Sequence, residues 1–404
     1  MSCTLPCLLA IYLALPTLAQ DSDRELLNFS ITGSSNTESP AENATYAMVH
    51  HEVQRLLLDI AQAPRSRQYV EKVLSGSAIS LSDMISNGSL RFENGLYWLN
   101  FSLLTRSDQE IIHQATSQYS QSLADAILKR RSELERLLST YNVPDVDRKE
   151  VAFIILGCFS LDWDGLDLST AHGYRAVPPK RKGGEFFFMA EETGGLSLKQ
   201  IYWGSGSSQY GKYSFASFGD HFSPRQSVMY ELHTSGLPEI RRMTSEELGG
   251  IIGAFMFALH EGPQSAPALT KASNQTAAIS NCILDELIAA HWIAKLNDKF
   301  YPRIPVLTIR DRQIVSGLRK LGSEVILAWL QENYVPFQEA VKEITPVRNR
   351  VPYQQTFDQL WHYLFGIANQ KLVEAGLFAD PYSPEAAPTG YVPVVFESRL
   401  TEEQ

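Results

Sequence analysis

Two long stretches of the chain carry hydrophobic residues at three- and four-residue steps, and the two stretches share one register. Each stretch starts three positions after a Thr, at Asp108 and at Asp311. Apolar residues follow at identical offsets, in the first stretch Ile111, Ile112, Ala115, Leu123, Ile127, Leu134, Leu138 and Tyr141, and in the second Ile314, Val315, Leu318, Ile326, Leu330, Phe337, Val341 and Ile344. This spacing predicts two long amphipathic helices, and Thr-x-x-Asp predicts a cap at the start of each. The common register predicts an old internal duplication.

The same order of shorter elements precedes each long helix. Residues 49–60, 66–75 and 79–85 are predicted helices, and LRFENGLYWLNF then predicts a hairpin turning at Asn94-Gly95. In the second half, residues 245–259, 266–272 and 277–291 are predicted helices, followed by a hairpin in IAKLNDKFYPRIPV. After each long helix comes a helix that is apolar on nearly every side, in VAFIILGCFSLDW and in FDQLWHYLFGIANQ.

Three helices followed by a two-stranded hairpin resemble the winged helix-turn-helix domains of bacterial regulators of the ArsR and MarR type. The resemblance covers residues 48–105 and 245–308, about a third of the chain, and includes no signature residue of those families. It implies that the third helix of each copy, at 79–85 and at 277–291, would enter the major groove of DNA.

We therefore expect a mainly α protein with small β elements, built as a tandem duplication of a winged-helix unit, a long helix and a buried helix. A small antiparallel sheet is expected to join the copies. The predicted segments are a signal peptide (1–19), a polar linker (20–47), a first unit (48–172), a Gly- and aromatic-rich β insert (173–233), a second unit (234–380), and a C-terminal strand and tail (381–404).

The first nineteen residues contain no charged side chain, and small residues precede the polar segment that starts at Gln20. This pattern predicts export, to the periplasm or the extracellular space, with cleavage between Ala19 and Gln20. A cytoplasmic chain with an apolar N-terminal segment is the alternative. No later segment has the run of about 20 apolar residues that a membrane span requires. Five Asn-x-Ser/Thr sequons, at Asn28, Asn43, Asn87, Asn100 and Asn274, are relevant to an exported chain.

The charge of the chain argues against DNA as a partner. Its formal net charge is −10, and neither predicted groove helix contains Lys or Arg. The second of these helices carries Asp285 and Glu286. Base readout and phosphate contacts require cationic or amide side chains on such a surface. Arg91 in the first hairpin and Lys295 and Lys299 in the second add only a few positive charges.

The stretch YWGSGSSQYGKYSFASFGDH offers a candidate ligand pocket formed by the aromatic side chains of Trp203, Tyr210, Tyr213, Phe215 and Phe218. It matches no GxGxxG, P-loop or GxSxG motif, so the alternative is a pair of aromatic strands joined by a turn. The sequence predicts no catalytic residue, cofactor or metal ligand.

These observations favour a non-enzymatic, exported binding or scaffold protein whose ligand or protein partner is unknown. The first alternative is an intracellular transcriptional regulator with tandem winged helices. The weaker alternative is an enzyme with its site near residues 202–221.

Overall fold

A computed structural model describes residues 26–35, 47–181, 184–195, 205–218, 228–381 and 392–400. The protein is mainly α, with several small antiparallel sheets. The predicted signal peptide with Ala19 and Gln20, and also Trp203, lie outside the described residues.

The first half of the chain has eight helical segments and seven strands among the described residues. The strands are β1 (Leu27–Ser35), β2 (Arg65–Ser66), β3 (Leu90–Glu93), β4 (Leu96–Leu99), β5 (Ser102–Leu104), β6 (Lys180–Arg181) and β7 (Gly184–Glu192). The helices are α1 (His51–Gln62), α2 (Arg67–Val73), α3 (Leu81–Ser86), α4 (Arg106–Leu128), α5 (Arg131–Leu138), α6 (Arg148–Ala152), a π-helix (Phe153–Asp164) and α7 (Gly165–Ala171).

The second half repeats this order with additions at its start. The strands are β8 (Ser205–Tyr210), β9 (Tyr213–Phe218), β10 (Gln264–Ser265), β11 (Ile293–Leu296), β12 (Lys299–Pro302), β13 (Val306–Leu307) and β14 (Val392–Glu397). The helices are α8 (Val228–Thr234), α9 (Pro238–Arg241), α10 (Ser245–His260), α11 (Ala266–Ser273), α12 (Ala277–Ala289), α13 (Arg312–Ala340), α14 (Thr345–Arg348) and α15 (Tyr353–Glu374), with a 3-10 turn at Ile309–Asp311.

Both predicted hairpins form, and each adds a short strand from between the first two helices of its copy. The sheet orders are β2-β4-β3 and β10-β12-β11. The first hairpin turns at Asn94-Gly95 and the second at Asn297-Asp298, and all four residues have positive φ. Two consecutive left-handed residues give a turn whose twist matches the strands, and Asn, Asp and Gly adopt that conformation most readily.

Each copy also has a larger sheet organised around one central strand. In the first, β7 pairs antiparallel with β1 and parallel with β5. In the second, β14 pairs antiparallel with β9 and parallel with β13, while β8 pairs with the outer edge of β9. The expectation of one sheet from the 173–233 insert is corrected, because β7 belongs to the first sheet and the β8–β9 hairpin to the second. The C-terminal strand is confirmed as β14.

The segment 20–47 is not purely a linker, because residues 27–35 form β1. Leu27, Phe29 and Ile31 alternate with polar residues and pack on the core of the first hairpin module. The ring of Phe29 stacks on that of Phe188 in β7, with centroids 5.4 Å apart. The alternation of apolar and polar residues is short, and the Ser, Asn and Glu residues around it give the whole segment the composition of a linker.

Both predicted caps of the long helices are confirmed. Thr308 and Asp311 exchange side-chain-to-backbone hydrogen bonds as a capping box. Thr105 and Asp108 make the same exchange before α4. The Asp311 carboxylate also lies 3.0 Å from Nε2 of His260, the last residue of α10.

The first long helix is shorter than the periodicity predicts. It ends at Leu128 and resumes at Arg131, after a break at residues 129–130, whereas α13 runs without a break through Pro336 to Ala340. Arg130 bonds Glu133 and Glu324 through its guanidinium, and its φ of −99° and ψ of 11° lie outside the helical range. The apolar register survives the break, because Leu134 and Leu138 remain buried.

The described residues divide into two compact units, neither of which is contiguous in sequence. The first unit contains the described residues within Met1–Leu123, Asp164–Ile201 and Val325–Ala368, and the second contains those within Ala124–Trp163, Tyr202–Glu324 and Asn369–Gln404. The sequence-based boundaries follow the duplication instead. The difference arises because α4, α13 and α15 each have residues assigned to both units.

Candidate functional site

The β8–β9 hairpin carries the four described aromatic residues of the candidate pocket. Its turn is Gly211-Lys212, with Gly211 at a φ of +60°. Along β9 the side chains alternate between faces, so Tyr213 and Phe215 share one face and Phe218 lies on the other.

The first face packs against α10 and against Trp292, which lies between α12 and β11. The Tyr213 ring meets that of Phe257 edge to face, with centroids 4.8 Å apart. The rings of Tyr210 and Phe215 lie 5.3 Å apart, and Phe215 stacks on Trp292 at 6.1 Å. Phe215 and Trp292 are partly buried and pack against the hydrophobic core of the second unit.

Two glycines of α10 permit this approach. A Cβ on Gly249 would lie 2.3 Å from the Tyr210 ring, and one on Gly253 would lie 2.3 Å from the Tyr213 ring. The hairpin can therefore lie against α10 only where the helix carries no side chain.

The opposite face holds Phe218, which is fully buried. Its ring lies 5.5 Å from that of Trp163 and 5.9 Å from that of Phe159 in the π-helix. The structure therefore does not bring Tyr210, Tyr213, Phe215 and Phe218 together around one pocket. They bind the hairpin to two different parts of the second unit's core.

The third helices of the two modules expose little charge. On α12 the buried residues are apolar except for Ser280, and the exposed residues are Ala277, Ala278, Asn281, Asp285 and Ala289. On α3 the exposed residues are Ser82, Ile85 and Ser86. The described surfaces that the family resemblance assigns to base reading thus contain no Lys or Arg.

Arg91, which sequence reasoning counted as part of the basic supply, is engaged inside its own unit. Its guanidinium donates to the backbone oxygens of Leu99 and Asn349, and it lies 5.8 Å from the centroid of the Trp98 ring. In the other hairpin, Lys299 and Arg303 are exposed. The surfaces of the two hairpins therefore differ in charge.

Sequence reasoning missed the buried polar network of the first unit. Arg175 forms an ion pair with Asp358 of α15, donates to Thr170, and lies 4.8 Å from the centroid of the Phe187 ring. One turn along α15, the Tyr363 hydroxyl donates to the Glu191 carboxylate at 2.7 Å. Arg175 lies 183 positions from Asp358, and Tyr363 lies 172 positions from Glu191, so no local pattern could have identified either pair.

One acid in the second unit has a pKa near neutrality. Burial raises the pKa of Glu150 on α6 to about 7, Asp147 adds to the rise, and Arg303 opposes it. Its Oε2 atom is buried without a hydrogen-bond partner among the described residues. Glu150 lies outside the stretch 202–221, which is where the enzyme alternative needs a reactive group.

The described ranges contain no group of three His, Cys, Asp or Glu side chains that could hold a metal ion. Among the helices that the structure describes, none is long and apolar enough to cross a membrane. Comparison with protein-family models, with curated proteins and with solved structures yields no match.

Adding a methyl group at Gly253 should destabilise the protein. Gly253→Ala places a Cβ against the Tyr213 ring, and overpacking of this kind costs about 1–3 kcal/mol. Gly250→Ala is the matched control, because its Cβ would meet no atom within 4 Å on the same helix. We expect the control to be stabilised by roughly 0.5–1 kcal/mol through helix propensity. Urea unfolding measures both, and equal midpoints would contradict the packing described for the hairpin.

Glu150 should make the protein less stable as the pH rises from about 4.5 to about 7. Because its folded pKa is raised, the folded state holds a proton that the unfolded state has released in this interval. Glu150→Gln removes this dependence, so its gain in free energy of unfolding should grow across the interval and level off above pH 7, at about 1–3 kcal/mol given the partial exposure of the residue. Urea unfolding at a series of pH values tests this. A gain that is constant with pH would show that the carboxyl titrates normally.

Proposed function

We propose that the chain is a non-enzymatic, exported binding or scaffold protein made of two modules of the winged-helix type. The module type is supported by the order of helix, short strand, helix, helix and hairpin, which occurs in both halves. It is further supported by the three-stranded sheets, in which the short strand pairs with the second strand of the hairpin.

The observation that carries the proposal is the exposed face of α12. A DNA-reading helix presents Arg, Lys, Asn or Gln to the bases and is flanked by cations that contact phosphates. This face presents three alanines, Asn281 and the carboxylate of Asp285. Placed in the major groove, Asp285 would meet a strongly negative surface without a cation beside it on the same face.

The second candidate function is DNA binding, and the hairpin β11–β12 favours it. Lys295, Lys299 and Arg303 are exposed on or next to this hairpin. Lys295 is partly neutralised by Asp298, 3.8 Å away. Three cations at one hairpin can contact a phosphate backbone, but on the exposed face of α12 only Asn281 has a side chain of the type that reads bases.

We expect the full chain to show no measurable salt-dependent binding to random-sequence duplex DNA. A protein that neutralises several phosphates loses affinity steeply between about 50 and 200 mM salt. A double variant, Asn281→Lys with Asp285→Lys, adds two cations to the exposed face of α12 and is expected to gain weak, salt-dependent binding. Fluorescence anisotropy on labelled DNA measures both proteins. A steep salt dependence in the unmodified chain would instead support the regulator.

Export is tested by locating the native protein and sequencing its N-terminus. We expect the mature chain outside the cytoplasm, beginning at Gln20, because the apolar segment before it ends in small residues of the type that signal peptidases cleave. A chain found in the cytoplasm with Met1 intact would contradict the prediction of export.

A further inference from the structure

Four of the five sequons lie in described residues, and the structure distinguishes them sharply. An N-linked sugar is attached to the side-chain Nδ2 of Asn and needs open space beyond that atom. Asn28, Asn87, Asn100 and Asn274 differ in how far the folded chain leaves that space free, and Asn43 lies outside the described residues.

Asn87 and Asn100 are held within the fold. Asn87 is 5% exposed, and its Oδ1 accepts hydrogen bonds from the backbone N–H and the hydroxyl of Ser89. Asn100 donates from Nδ2 to the backbone oxygen of Gly88 at 3.2 Å. Arg181 donates to the backbone oxygens of both asparagines and of Gly88, so the region is closed by a third segment. A sugar on either Nδ2 would break this local network.

Asn28 lies within β1, directly opposite Glu191 of β7. Its Nδ2 is 3.5 Å from the Glu191 carboxylate, and that carboxylate also accepts the Tyr363 hydroxyl. The side chain is therefore half-buried beside a buried acid. A sugar there would separate the carboxylate from its neighbour and crowd the sheet.

Asn274 alone of these four is exposed, at the turn between α11 and α12. It is the C-cap of α11 in a left-handed conformation, with φ 56° and ψ 37°, and the residue is exposed. Its backbone N–H bonds to α11, whereas no hydrogen bond within the described ranges engages its side-chain amide. The hydroxyl of Thr276, the third sequon residue, caps α12 by accepting from Ile279 N–H. The sequon is thus both accessible and compatible with the two helices it joins.

We propose that Asn274 is the N-glycosylation site among these four asparagines when the chain passes through a glycosylating secretory pathway. The inference rests on the export part of the proposed function. In the reaction, Asn274 Nδ2 forms a bond to C1 of the first sugar and loses a proton. The bond from C1 to the pyrophosphate of a lipid-linked oligosaccharide donor breaks, and the lipid pyrophosphate leaves.

Such a glycan would cover the α11–α12 turn and the start of the exposed face of α12. Ala277 and Ala278 follow the sequon directly and are exposed. In a winged-helix module this corner leads into the groove-facing helix. The modification therefore blocks nucleic-acid docking by the second module and leaves other faces of the protein for a partner.

The test expresses the full chain in cultured animal cells, once with its own N-terminus and once behind an unrelated cleavable signal peptide. Secreted protein is treated with peptide-N-glycosidase F in heavy-oxygen water and mapped by peptide mass spectrometry. We expect the label at Asn274 and its absence at Asn28, Asn87 and Asn100. Asn274→Asp keeps a residue that tolerates the left-handed conformation and should lose the label at that position. Thr276→Ser keeps both the sequon and the helix cap and should retain it.

A secreted chain with unmodified Asn274, or with sugar at Asn87, overturns the assignment. Secretion only behind the unrelated signal, with Asn274 modified, overturns native export while the choice of acceptor stands. Secretion with the chain's own N-terminus and no sugar at Asn274 supports native export and overturns the choice of Asn274 as acceptor. The two proposals therefore fail separately.

Discussion

The two central strands, β7 and β14, are the elements on which both halves of the protein depend. Each is paired on both edges. The antiparallel neighbour is β1 for β7 and β9 for β14, and the parallel neighbour, β5 or β13, is followed in the chain by a long helix. Parallel neighbours cannot be joined by a tight turn, so a long crossover must connect them. Here the long and buried helices fill that crossover. The Thr-x-x-Asp caps then fix where each long helix leaves its sheet, which couples strand register to helix position.

Local chemistry made much of this architecture predictable from sequence. Asn94-Gly95 specifies its turn, Thr105 with Asp108 specifies a helix start, and the eight matched apolar positions specify one face of each long helix. The aromatic stretch was harder to interpret. The sequence places Tyr213 and Phe218 in one aromatic stretch, but alternation along β9 puts their side chains on opposite faces of the strand. The need for a glycine at position 253 becomes clear only from the structure, where α10 packs against the Tyr213 ring. Sequence therefore identified the elements of the candidate site without identifying its geometry.

The remaining features could not be predicted because they depend on distant partners. Nothing in the sequence distinguishes Arg175 and Asp358 from other charged residues. In the structure both side chains are buried, and each supplies the opposite charge that the other needs there. The two halves also use similar positions differently. Arg91 in the first hairpin donates hydrogen bonds to backbone oxygens of its own unit, whereas Lys299 in the second hairpin is exposed to solvent. The two halves therefore share an order of elements while differing in the chemistry of their hairpin surfaces.

The position of β14 near the end of the chain determines when the second unit can finish folding. Its neighbour β9 emerges from the ribosome more than 170 residues earlier and has only β8 beside it until β14 arrives. The first unit also waits, because it requires residues 325–368. N-terminal-first folding, the usual course for multidomain chains during synthesis, is therefore closed to this protein. The first unit is complete only after residue 368 has been synthesised, and the second only after β14 has been synthesised, so the two units finish folding close together in time although their first strands are made far apart.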